Sequence, residues 1–176
     1  MGDGWRRYFP AGSLDPRPDL HRHRAEWYAD ALERLGEGPL HPARPDQTLI
    51  VRLLCLPTWS PACAIRAERS GLTWRLLVRE LDGEEAGFDL GKLVRRDDRV
   101  IIEPDAERVE ELWAYLRFWS LGLPADGDDV LDGTDYVLEA VERGRYHVTV
   151  RDDPEWGDTF GEFVDLLVNL SGLDPR

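Results

Sequence analysis

The sequence predicts an α+β domain: an antiparallel sheet of about five or six strands with two or three packed helices. Three observations predict it. Between Thr48 and Leu81 three strand-like runs follow one another, joined by connections too short for a parallel crossover. Further on, Asp135–Val141 and Arg145–Arg151 flank Glu142-Arg143-Gly144 and read as a hairpin turning at Arg143-Gly144. Two segments, 105–121 and 159–171, carry apolar residues at helical spacing and supply covers for one sheet face.

The elements follow in chain order. Residues 1–18 hold Gly2, Gly4, Pro10, Gly12, Pro16 and Pro18 and are predicted to form an extended N-terminal arm, pinned by Trp5, Tyr8 and Phe9. The remainder, 19–176, is a length that suits a single domain. From Asp19, a fair N-cap, the residues Leu20, Arg24, Trp27, Tyr28, Ala31, Leu32 and Leu35 form a helical stripe that Gly36 stops. This helix is expected to dock at a sheet edge or beside the other two. Thr48–Leu56, Ala62–Arg69 and Leu72–Leu81 are the three strands of a meander, interrupted by Pro57-Thr58-Trp59-Ser60-Pro61 and by Ser70-Gly71. Arg99–Ile102 is a short fourth strand. Proline at 104 is tolerated in the first turn of the next helix, whose stripe is Val109, Leu112, Trp113, Leu116 and Trp119. The hairpin turning at Arg143-Gly144 comes next. Thr159 opens the last helix with Glu162 at capping-box spacing, and Gly172 stops it.

Charge narrows the function classes. The chain carries 22 Lys+Arg against 35 Asp+Glu, a net charge of −13. Residues 103–176 alone carry 6 basic and 19 acidic side chains, so the whole surplus resides there. Bare nucleic acid is disfavoured as a partner, because phosphate binding needs clustered cation. The field of such a surface speeds encounter with a basic partner, although acidic side chains also serve solubility alone. No run reaches the roughly 18 apolar residues of a membrane helix. The N-terminus lacks the apolar stretch of a secretory signal, so a cytoplasmic location is expected.

The segments LPTWSPACAIRAE (56–68), FWSLGLP (118–124), LDGTDYVLEAVERGRYHV (131–148) and RDDPEWGD (151–158) resemble a family of small bacterial proteins to which no activity is attached. The resemblance spans roughly residues 48–173, most of a domain. Where that family has an Arg-Trp-Ser-Pro-like turn, this chain has Arg151-Asp152-Asp153-Pro154. The resemblance implies no catalytic residue.

Candidate chemistry is sparse. Glu139 and His147 lie on partner strands, and a buried Glu beside a His is a candidate polar pair able to move a proton. A Glu satisfied by an Arg or a backbone group is the preferred account, since no nucleophile or orienting group is placed beside the pair. Asp128, Asp132, Gly133 and Glu139 fall at positions one, five, six and twelve of a calcium loop, but Val130 at position three gives no side-chain oxygen. His21 and His23 are two apart, cannot share a ligand position on a helix, and are expected on its surface; with His41 they make no metal site. Cys55 and Cys63 flank a turn and are expected to be reduced core residues. No cofactor motif is present.

The leading expectation is a non-catalytic acidic domain of the immunity-protein kind that blocks a basic bacterial toxin or similar protein. Trp59, Asp126, Asp128, Asp129, Asp152, Asp153, Glu155 and Trp156 are its predicted partner-binding residues. The alternatives are a small hydrolase or metal-dependent enzyme using Glu139 and His147, and a subunit of a larger assembly docked through residues 1–18.

Overall fold

A computed structural model describes residues 3–44, 48–82, 91–123, 133–152 and 157–173. A short 3-10 helix, Asp3–Arg7, precedes helix α1 (Pro18–Arg34). Strands β1 (Ile50–Pro57), β2 (Cys63–Ser70), β3 (Thr73–Leu81) and β4 (Leu93–Ile101) follow. Helix α2 (Asp105–Leu116), strands β5 (Thr134–Glu142) and β6 (Arg145–Asp152) and helix α3 (Thr159–Ser171) complete the order. The strands form one six-stranded antiparallel sheet in the order β4-β3-β2-β1-β5-β6. The α+β class with its antiparallel sheet is as the sequence predicts. No helix among the described residues is long and apolar enough to cross a membrane.

The position of β1 explains its composition. Flanked by β2 and β5 and covered on both faces, it buries every residue from Val51 to Leu56, which is why TLIVRLLCL lacks the alternation of a half-exposed strand. On one face Leu53, Ile65, Leu76, Val78 and Leu138 meet Val109, Leu112 and Trp113 of α2 and Phe163, Val164 and Leu167 of α3. On the other, Leu54, Leu56, Ala64, Val137, Val148 and Val150 meet Trp5, Phe9, Leu14, Tyr28 and Leu32.

The placement of α1 corrects the sequence expectation. It lies neither at an edge nor beside α2 and α3, but covers the opposite face together with the N-terminal segment. Two helices already fill the first face, and an apolar second face needs its own cover. The buried side of α1 is also rotated from the predicted stripe: His21, Ala25 and Ala29 are buried, and Trp27 is 42 % exposed. The N-terminal arm is likewise not extended throughout. It opens with the 3-10 helix and buries Trp5, Tyr8, Phe9 and Leu14 in the second core. At the end of α1, Gly36 adopts the left-handed region (φ +71°) and its N–H and that of Glu37 close on Glu33 and Leu32.

Other boundaries shift for identifiable reasons. Strand β4 starts six residues before Arg99, because an edge strand needs backbone pairing to β3 and tolerates charged side chains in place of apolar ones. Helix α2 ends at Leu116, where Arg117 turns left-handed (φ 47°) into a 3-10 turn over Phe118–Ser120. The cap of α3 is Asp158, whose carboxylate accepts the Gly161 N–H at 2.6 Å, in place of Thr159. The β5–β6 turn falls at Arg143-Gly144, both at positive φ, as predicted.

Candidate partner-binding site

Glu139 and His147 are not a pair. In the β5–β6 register Glu139 faces Val148 and Ala140 faces His147, so the two side chains point to opposite faces of the sheet. Glu139 is fully buried and accepts from Arg52 Nε at 2.9 Å and Nη2 at 2.6 Å through Oε2, and from the Tyr146 hydroxyl at 2.8 Å through Oε1. Arg52 also donates to the Gly38 carbonyl at 2.6 Å and lies 3.6 Å from Glu37, which Arg66 holds at 2.7 Å. Burial works against the Arg52 charge, yet Glu139 and Glu37 hold its pKa above the ordinary value. Burial and the adjacent Glu139 push the Tyr146 phenol well up. On the far side of the sheet, His147 Nε2 lies 2.8 Å from the Leu121 carbonyl and its ring stands edge-on to Phe118, with burial lowering its pKa. A hydrophobic sheet separates the two groups, and no proton passes between them.

The metal candidates resolve similarly. Glu139, at position twelve of the partial calcium pattern, sits on a strand with both oxygens engaged by Arg52 and Tyr146; Asp128 and Asp132 lie outside the described residues. His21 is buried, against the expectation of a surface position: its Nδ1 faces the Leu14 N–H at 3.4 Å and its ring packs on Trp5. His23 is exposed and His41 packs on Tyr146. Among the described residues no group of three His, Cys, Asp or Glu is arranged to hold a metal ion. Cys55 and Cys63 face each other across β1 and β2 as free, buried thiols; the Cys63 contact and burial push Cys55 well up.

One end of the sheet does bring candidate residues together. Trp59, on the Pro57–Pro61 turn, is 72 % exposed. Beside it, the Thr58 N–H and hydroxyl both donate to the Gly133 carbonyl, at 3.0 and 2.9 Å, tying this turn to the entry of β5. The next residues of β5 and the last of β6 place Asp135 opposite Asp152. From α1 the Tyr28 hydroxyl donates to Asp135 Oδ2 at 2.7 Å, and Trp27 stacks obliquely on Tyr28 with ring centres 5.5 Å apart. Burial pushes the Asp135 carboxyl up to about 7, the Tyr28 hydrogen bond opposes this, and the neighbouring Asp152 adds to it. Burial and the same carboxyl drive the Tyr28 phenol far up.

Of the predicted partner-binding residues, the structure therefore places Trp59 and Asp152 at this end. Asp126, Asp128, Asp129, Asp153, Glu155 and Trp156 lie outside the described residues. Asp152 is half-buried beside Asp135, a different setting from the free surface carboxylate expected. Asp135, Tyr28 and Trp27 were missed. The signal for Asp135 was present, since it and Asp152 are equidistant from the Arg143-Gly144 turn and a two-residue hairpin makes equidistant residues neighbours. Tyr28 carried no comparable signal, because the face covered by α1 is a tertiary fact. No family model matches the chain, and no curated protein matches it. The resemblance read from its segments thus adds nothing to the geometry.

Proposed function

We propose that this protein is a cytoplasmic, non-catalytic binding domain that blocks a basic partner protein, as an immunity-type inhibitor blocks its toxin. The observation that carries this reading is the exposed Trp59, held on a Pro-flanked turn at the sheet end where Asp135 and Asp152 meet. An aromatic anchor on a rigid turn loses little entropy on binding, and carboxylates around it favour Lys and Arg on the partner. The acidic residues 126, 128, 129, 153 and 155 and Trp156 belong to this reading on their chemistry alone, as carboxylates and an aromatic suited to a basic partner. Occlusion is the mechanism: the surface covers the partner and no bond is made or broken.

The test combines capture with kinetics. A protein retained from the native lysate by the immobilised chain is purified, and its association is followed in stopped flow at several salt concentrations. The expected result is an association rate that falls steeply with salt and a Kd raised at least about tenfold by Trp59→Ala, the size of a hot-spot loss. A salt-independent on-rate together with an unaffected Trp59→Ala variant overturns the reading.

A further inference from the structure

The N-terminal segment and α1 meet at His21. Its side chain is buried, its ring stands edge-on to Trp5 with centres 5.3 Å apart, and its Nδ1 takes the Leu14 N–H at 3.4 Å. That contact fixes the protonation state. An N–H can donate only to a ring nitrogen with a free lone pair, so Nδ1 is unprotonated and the single proton of the neutral ring sits on Nε2. Nε2 is buried and has no hydrogen-bond partner among the described residues. A second proton would have to enter at Nδ1, where it meets the Leu14 N–H head-on. The resulting cation would lie in a buried site whose other N–H has no acceptor, a costly arrangement.

The surroundings do not offset that charge. Among the described residues, Asp15 is the one charged group that draws the ring toward protonation. Its Oδ1 accepts from the Arg17 backbone N–H at 2.8 Å and from Arg17 Nε at 3.0 Å, and its Oδ2 accepts from Arg17 Nη2 at 3.0 Å. Arg24, on α1, lies 3.8 Å from the same Oδ2. Two guanidinium groups thus already answer this carboxylate. On the segment, Arg6 lies over the Trp5 ring, 5.3 Å from its centre, and adds further positive charge on that side. Burial accordingly holds the His21 imidazole below its ordinary 6.5, against a smaller upward pull from Asp15. What His21 holds is a cover: Trp5, Tyr8, Phe9 and Leu14 belong to the second core. Further polar ties of this segment gather at Arg7, paired with Glu33, and at Tyr8, whose hydroxyl donates to the Glu37 carbonyl, so the Leu14 end depends on His21.

We propose that His21 is a pH-sensitive latch: neutral, it fastens the N-terminal segment over the second core, and on taking up a proton it lets that segment open locally from α1. The opening uncovers the apolar contacts of Trp5 and Leu14 and leaves the sheet intact. The open form binds a proton at the ordinary 6.5 and the closed form only at a lower pH. The opening constant therefore rises about tenfold for each pH unit between 6.5 and the midpoint of the closed form, and levels off beneath it.

Hydrogen exchange of the full chain, followed by NMR together with the titration of the His21 ring, tests this. The Tyr8, Phe9, Ser13 and Leu14 amides are hydrogen-bonded in the closed form and report on the segment. Corrected for intrinsic rates, their protection is expected to fall about tenfold per pH unit from 6.5 down to the His21 midpoint, while the amides of β1 keep theirs. His21→Asn sets an amide oxygen near the place of Nδ1, able to accept the Leu14 N–H and unable to titrate, so its segment is expected to show no such fall. His147→Gln removes the other histidine held low by burial and is expected to leave the fall in place. The parent titration and the β1 comparison need no variant, so a destabilised His21→Asn chain still leaves a decisive result. A His21 midpoint at or above 6.5 overturns the proposal, as does protection that stays level down to that midpoint. So does a fall that β1 shares equally, that survives His21→Asn, or that disappears in His147→Gln.

Discussion

Arg52 is the one charged side chain of the central strand, and it is fully buried between Glu139 and Glu37. Removing one member of such a pair strands an uncompensated charge, which costs far more than the net worth of the pair. Glu139→Ala is therefore expected to lower unfolding stability by about 3–5 kcal/mol in urea, while Arg52→Met combined with Glu139→Leu costs much less than the two single losses together. A Glu139→Ala variant of unchanged midpoint would show that Arg52 is satisfied without it. Asp135 gives a pH effect of defined sign. Its folded pKa, about 7, lies above the ordinary 3.8, so the folded chain keeps a proton that the unfolded chain releases. The associated stability is complete below about pH 4 and is lost as pH rises through about 7. Asp135→Asn is expected to flatten that decline, read as Tm against pH; an unchanged slope would place the titration elsewhere. His147 acts at the acid side. Its folded pKa lies below the ordinary 6.5, so the folded chain resists protonation and stability falls as pH drops below about 6.5.

At the scale of elements, Asp158 shows how a short-range rule is met one residue away from its obvious candidate. Its carboxylate caps α3, and Asp158→Ala is expected to cost about 1 kcal/mol, measured by thermal unfolding, while Thr159→Ala costs much less. Equal losses at the two positions would return the cap to Thr159. The same contrast between local and tertiary causes marks what the sequence made legible. The Tyr146, Val148, Val150 alternation and the Arg143-Gly144 turn are local signals, and they located β5 and β6 to within a residue. Strand β4 was largely illegible because its charged run, Arg95 to Arg99, is held by backbone pairing that leaves no hydrophobic trace. For α1 the helix was visible, and the face it covers was not. His21 counted as polar on a surface helix, whereas the N-terminal segment that buries it lies across a turn from α1 and could not be placed by spacing. The candidate site divides along the same line: Trp59 was flagged by its Pro-flanked turn, and Tyr28 reaches Asp135 only through the docking of α1.

Over the whole molecule two opposing electrostatic effects compete, and their balance can be argued. Surface ion pairs such as Arg34–Asp30, Arg108–Glu111 and Arg69–Glu142 favour the fold, each by about 0–1 kcal/mol at most, and salt weakens them. Against them stands a net charge of −13, with the whole surplus in residues 103–176, and this self-repulsion is also relieved by salt. At about 10 mM salt the screening length is about 30 Å, wide enough for the excess carboxylates to act on one another across the domain, and at about 100 mM it contracts to about 10 Å. The ion pairs are short-ranged and lose less over that interval than the repulsion does. Added salt is therefore expected to raise Tm at pH 8, by about 2–4 °C for each kcal/mol of repulsion relieved. Near pH 5, close to the pI of about 4.7, the net charge nearly vanishes and only the ion pairs remain to be screened, so the same salt is expected to leave Tm level or lower it slightly. A Tm that falls with salt at pH 8 would mean that the arginine–carboxylate pairs, and no longer the acidic excess, set the electrostatic balance of this fold.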